Sequence, residues 1–151
     1  DRTRGEYRNI VLASDYSASA RGALECAAGL FPDVQHTVFS AFEVPFLGMM
    51  DPEAQNAAAQ GRKAALAEGA AFLAQADLAP AQREHVRLHV EQGEPVRLVY
   101  EYARDHEADL LVLGTHGRSA LFDILIGSIA RPILETAATD VLLVRHASAE
   151  G

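Results

Sequence analysis

The chain has 151 residues, 49% of them hydrophobic, a formal net charge of −8 and one cysteine. That length suits a single domain with a substantial core, and that much hydrophobicity excludes a disordered chain. The acidic balance, without any Lys/Arg cluster, excludes non-specific nucleic-acid binding. No apolar run is long enough to insert in a membrane, and a lone cysteine cannot form an internal disulfide, which suits a reducing, cytoplasmic setting.

Arg8 to Ala13 reads as a buried strand, because Ile10-Val11-Leu12 shows no alternation. Ser17 can cap a helix running to about Leu30, with Ala20, Ala23, Leu24, Ala27 and Phe31 at helical spacing. Pro32-Asp33 breaks it, and His36 to Val44 is a second strand. Cys26 reads as a buried small residue. Pro45 to Pro52 is a loop carrying Gly48, Met49 and Met50, which suits a lid or a partner contact. A long Ala-rich helix covers Glu53 to Ala76, and Pro80 marks the next loop. Val86, Leu88 and Val90 alternate with Arg87, His89 and Glu91, as in a strand near a sheet edge. Pro95 fits a first helical position, followed by Val96, Val99, Tyr100 and Ala103. Leu110 to Leu113 is the fourth strand. Ile129 to Ala138 is helix-like, and Val141 to Val144 is the fifth strand.

Strands alternating with helices imply a parallel sheet with right-handed crossovers. Ligands in such sheets bind at the carboxyl ends of strands, where strand order reverses. Asp15 lies just past the first strand and Gly114 just past the fourth, so they share a crevice if those strands are neighbours.

The most informative segment is Gly114-Thr-His-Gly-Arg-Ser-Ala-Leu-Phe-Asp-Ile-Leu-Ile-Gly-Ser128. Glycines at a strand end let the backbone approach a ligand, and a Gly-Ser pair at a helix start offers free N–H groups and the positive end of the helix dipole. This is a phosphate cradle. It is neither a P-loop, since Lys63 is the only lysine, nor a Rossmann turn, since the first strand ends in Ala13-Ser14-Asp15. Ser14, Ser17, Ser119 and Ser128 make no Gly-x-Ser-x-Gly elbow. His85 and His89 would stand about 13 Å apart on a strand, too far for a shared metal, and no metal site is expected.

These residues resemble the universal stress protein family across nearly the whole chain. Gly114, Gly117, Gly127 and Ser128 match its nucleotide signature, Gly-x2-Gly-x9-Gly-(Ser/Thr), and Asp15, Ser17 and Val90-Glu-Gln-Gly-Glu-Pro-Val96 match further family segments. The resemblance implies an α/β, doubly wound, five-stranded parallel sheet of order 3-2-1-4-5, Rossmann-like, with helices on both faces. The family domain would span 8–146, between an N-terminal extension (1–7) and a C-terminal tail (147–151). It implies ATP as ligand, with Mg2+ bound through the phosphates, and a homodimer through Val141–Val144, which would cover an apolar edge strand.

Residue by residue, the resemblance puts Asp15 on the ribose hydroxyls and Ala13 and Ser14 beside the base. The backbone of Phe42 would hydrogen-bond adenine. Leu113 and Gly114 would floor the ribose and first phosphate, His116, Gly117 and Arg118 would surround the phosphates, and Gly127, Ser128 and Ile129 would hold the polyphosphate. Ala130 stands where many members carry a hydroxyl; losing one contact to a charged group costs roughly tenfold or more in Kd. Ala138-Thr-Asp-Val141 departs from the family pattern beside the dimer contact. Tyr16 replaces a residue that is frequently small, and is expected to shape or shade the site.

The favoured function is an ATP-binding stress-response or signalling module that acts through nucleotide-dependent conformation on a protein partner. One alternative is a slow ATPase or phosphotransferase with Ser119 or Ser128 as phosphate acceptor. Another is a regulatory domain cut from a larger transporter or kinase, because the sequence starts at Asp1.

Overall fold

The computed structural model describes residues 7–44, 52–114 and 140–144. Five strands, β1 (Asn9–Ala13), β2 (Gln35–Phe42), β3 (Val86–Gln92), β4 (Leu110–Gly114) and β5 (Asp140–Val144), form one sheet in the order β3-β2-β1-β4-β5. All four strand pairings are parallel. The described helices are α1 (Ala18–Leu30), α2 (Pro52–Gln75), α3 (Pro80–Arg83) and α4 (Pro95–Asp105).

Both faces of the central strands are covered, which explains their unbroken apolar runs. On one face, Ile10, Leu12, Val38, Leu110 and Val112 pack against Ala20, Ala23, Leu24 and Ala27 of α1 and Phe72 of α2. On the other, Val11, Phe39, Leu111 and Leu113 pack against Leu98, Val99, Tyr102 and Ala103 of α4. The α4 stripe is therefore rotated from the expected one: Leu98 and Tyr102 are buried, while Tyr100 lies only partly covered at its margin.

Ser17 caps α1, its side chain accepting from the Ala20 N–H at 3.1 Å. Cys26, expected inside, is exposed. It falls between the inward positions Ala23, Leu24, Ala27 and Ala28, on the solvent side of α1. Where a loop was expected, Pro80 opens the short α3, whose Arg83 donates to the carbonyls of Leu73 (2.5 Å) and Ala76 (2.8 Å) and so closes the end of α2. β3 is an edge strand. The Val90 carbonyl accepts from Arg62 of α2 at 2.9 Å, which blunts that edge.

At the amino end of the sheet, one Asp109 carboxylate oxygen accepts from the N–H groups of Arg8 (2.8 Å) and Asn9 (2.9 Å), tying β1 to β4. α4 ends with Glu107 at φ 52°, while the Ala108 N–H donates to the Ala103 carbonyl at 2.8 Å. This is a Schellman closure with a glutamate where glycine is usual.

Candidate functional site

β1 and β4 are neighbours in the sheet, with Ile10 paired to Leu110 and Leu12 to Val112. Asp15 and Gly114 therefore stand together at the carboxyl edge, where the strand order reverses. Ser14 is buried. Its N–H donates to the Phe39 carbonyl at 2.9 Å, and its Oγ accepts from the Tyr16 N–H at 2.9 Å. Asp15 Oδ1 accepts from the Ser17 N–H at 3.1 Å, which orients the carboxylate at the start of α1.

Gly114 sits against α1. A Cβ built there would lie 2.6 Å from Ser19 Oγ and 2.9 Å from the Ser19 carbonyl oxygen. Close packing alone therefore accounts for glycine at the first signature position. Leu113, one residue earlier, is a core residue of the α4 side.

The backbone of Phe42 belongs to the ladder with β3. In a parallel ladder, successive residues of a strand bond alternately to the two neighbours. The His36 N–H donates to the His85 carbonyl and the Phe42 carbonyl accepts from the Gly93 N–H, each at 2.8 Å, so even-numbered residues of β2 face β3. The Phe39 carbonyl receives Ser14, so odd-numbered residues face β1. β1 ends at Ala13, level with Phe39. It is Ala41, two residues further on, that directs its N–H and carbonyl into the space past the end of β1. The Phe42 ring lies on the opposite face of the sheet, under α2, with the Arg62 guanidinium 5.6 Å from its centroid.

A shallow hollow, with room for about one water molecule, opens at that place, lined by Ala13, Ser14, Phe39, Ala41, Pro95 and Val99. The structure thus joins Ala13 and Ser14 to Ala41 and to the first turn of α4. The sequence reading missed Ala41 and gave Pro95 and Val99 only helical roles. The signal for Ala41 was the register between β1 and β2, which no local pattern carries.

Tyr16 does not shade this hollow. Its backbone is left-handed, at φ 62°, and its ring lies on the other face of the sheet, 5.5 Å from that of Phe72. Its hydroxyl donates to the Ala65 carbonyl of α2 at 3.0 Å. Burial raises the phenol pKa, the Ser40 hydroxyl pulls it back, and the Glu68 charge adds to the rise. His89 packs against Tyr102, with its Nε2 2.8 Å from a Glu91 carboxylate oxygen. His116, Gly117, Arg118, Gly127, Ser128 and Ile129, with the 45–51 loop, lie outside the described residues.

The parallel sheet with helices on both faces, and with its strand order reversing between β1 and β4, defines an α/β protein of the doubly wound class. A model of the universal stress protein family matches residues 6–145. The chain belongs to that family. Among relatives, it is 28% identical to universal stress protein MJ0531 of Methanocaldococcus jannaschii, over 95% of this chain and 85% of that one. In fold it is similar to the universal stress protein UspA from Lactobacillus plantarum, with a TM-score of 0.62 and 24% identity over 92% of this chain and 98% of that one. It is also similar to a universal stress protein solved in complex with cAMP, with a TM-score of 0.59 and 25% identity over 94% and 99% of the two chains.

Proposed function

We propose that this chain is an adenine-nucleotide-binding signalling module whose ligand sits at the carboxyl edge of β1, β2 and β4. The observation that carries the reading is the set of groups gathered at the switch point. Ala41 offers one N–H and one carbonyl past the end of β1, and Asp15 follows two residues after β1 at the same edge of the sheet. A main-chain donor and acceptor side by side suit the edge of an adenine, and a carboxylate accepts from two adjacent ribose hydroxyls. In this reading Ala13 and Ser14 lie beside the base, and Ala41 replaces Phe42 as the group that reads it. Leu113 and Gly114 floor the ribose. His116, Gly117, Arg118, Gly127, Ser128 and Ile129 are assigned to the phosphates by the signature spacing, with ATP and its Mg2+ as the ligand. The fold similarity to a protein that holds cAMP supports an adenine nucleotide. β5 is a sheet edge, and two copies pairing there would make a closed dimer.

The test is calorimetric titration of nucleotide-free protein with ATP, ADP, AMP and cAMP, beside a Gly117→Val variant. ATP binding that the variant abolishes is the expected result. No heat with any of the four nucleotides would refute the reading.

A further inference from the structure

The mechanism proposed above leaves Tyr16 without a part, yet its surroundings are specific. It directly follows Asp15, and its φ of 62° is one that a bulky side chain adopts only when neighbours enforce it. The enforcing contacts lie at both ends of the residue. Its N–H donates to Ser14 Oγ, and its hydroxyl donates to Ala65, 49 residues away in the middle of α2. The ring rests on Phe72, about two turns further along that helix. Gly69 makes room for it: a Cβ there would lie 2.8 Å from the Tyr16 hydroxyl and would also run into Leu88 of β3. The Asp15 carboxylate takes its orientation from the Ser17 N–H, on the far side of the same tight turn.

We infer that Tyr16 is a positioning residue that ties the ribose-reading Asp15 to α2, so that nucleotide occupancy and the seating of α2 are linked. This rests on the nucleotide reading given above. The tie is mechanical. Moving Asp15 toward ribose hydroxyls rotates the turn at Tyr16, and the Tyr16 hydroxyl then pulls on the Ala65 carbonyl. By reciprocity, anything that holds α2 in one seating alters nucleotide affinity by the same factor.

The experiment compares wild type with Tyr16→Phe, which keeps the ring and loses only the hydroxyl. Two readouts are taken: affinity for ATP against 2′,3′-dideoxy-ATP, and amide hydrogen exchange at Ser17 and across 65–69. The expected result is a three- to tenfold weaker ATP affinity, the size of one lost hydrogen bond, with the dideoxy analogue unaffected. Exchange at Ser17 should be faster in the variant, and ATP should slow exchange across 65–69 in wild type only. A purely structural role would weaken both nucleotides equally, and that result, or unchanged exchange at Ser17, overturns the inference. If wild type binds neither nucleotide, the nucleotide reading is what fails. The exchange at Ser17 then decides the tie to α2 by itself, faster exchange supporting it and unchanged exchange overturning it.

Discussion

Gly114→Ala separates what the fold demands of the signature from what a ligand demands. The added methyl would stand 2.6 Å from Ser19 Oγ, 2.9 Å from its carbonyl oxygen and 3.1 Å from its carbonyl carbon. A hydroxyl can rotate away, but the two main-chain atoms belong to the first turn of α1, which is fixed by the Ser17 cap and by Ala20, Ala23 and Leu24 in the core. Overpacking of this kind costs about 1–3 kcal/mol. Replacing glycine also removes freedom from the unfolded chain, which returns about 0.4–1 kcal/mol. The net expectation is a loss of about 1–2 kcal/mol, or a Tm lower by about 2–8 °C for a chain of this size. Urea unfolding followed by circular dichroism measures it, provided the slope with denaturant is unchanged. Adding Ser19→Ala should restore only a minor part, because the carbonyl contacts remain. A Gly114→Ala protein as stable as wild type, or one fully rescued by Ser19→Ala, would refute the packing account.

Three further outcomes follow from the same geometry. Asp109→Ala strands the N–H groups of Arg8 and Asn9 and should cost about 1–3 kcal/mol. Asp109→Asn, which keeps an acceptor, should cost less; equal urea midpoints for the two variants would contradict the role assigned to this carboxylate. Glu107→Gly relieves a left-handed residue in the Schellman closure of α4 and should raise stability by up to about 1 kcal/mol, so a lower thermal midpoint would count against that reading of the turn. His36 is buried, with Nδ1 2.7 Å from the Val34 carbonyl and, among the described residues, no partner within hydrogen-bonding geometry of Nε2. Burial lowers its pKa below the ordinary 6.5, the Val34 and Ala27 carbonyls pull it back up, and neighbouring His85 lowers it again. Below pH 6.5 the unfolded chain therefore takes up a proton that the folded chain refuses. The contribution is whole above pH 6.5 and declines as pH falls toward the folded pKa. Between pH 7.5 and 5.0 the urea midpoint of wild type should fall more than that of His36→Leu; parallel slopes would disprove it.

The legible parts of the fold were those set by local chemistry. Ile10-Val11-Leu12 and Leu110-Leu111-Val112 are continuous apolar runs because helices cover both faces of those strands, and Ser17 caps α1 because its hydroxyl reaches the Ala20 N–H. What escaped depended on partners far along the chain. Which side of α4 faces the sheet is decided by Phe39 and Leu111, so Leu98 and Tyr102 turned inward in place of Tyr100. Cys26 lies one position off the buried stripe of α1, and a small side chain gives no sign of which side it takes. α3 exists because Arg83 reaches back to the end of α2.

The candidate site divides along the same line. Alternation of strands and helices placed Asp15 and Gly114 at strand ends, and in one crevice only on the condition that their strands are neighbours, which the pairing of β1 with β4 meets. The choice between Ala41 and Phe42 could not be read in this way. It is a question of parity, set by the pairing of Ala13 with Phe39 and of Phe42 with Gln92. A shift of one residue in either register would exchange their roles. The same dependence changes the weight of the signature glycines. Gly114 is already required by Ser19, so its presence says little about a ligand. The parity of β2, by contrast, turns the Ala41 main chain toward the end of β1, a placement that the proposed nucleotide would use. The proposed site therefore rests more on Ala41 and Asp15, both at the carboxyl edge of the sheet, than on the first signature glycine.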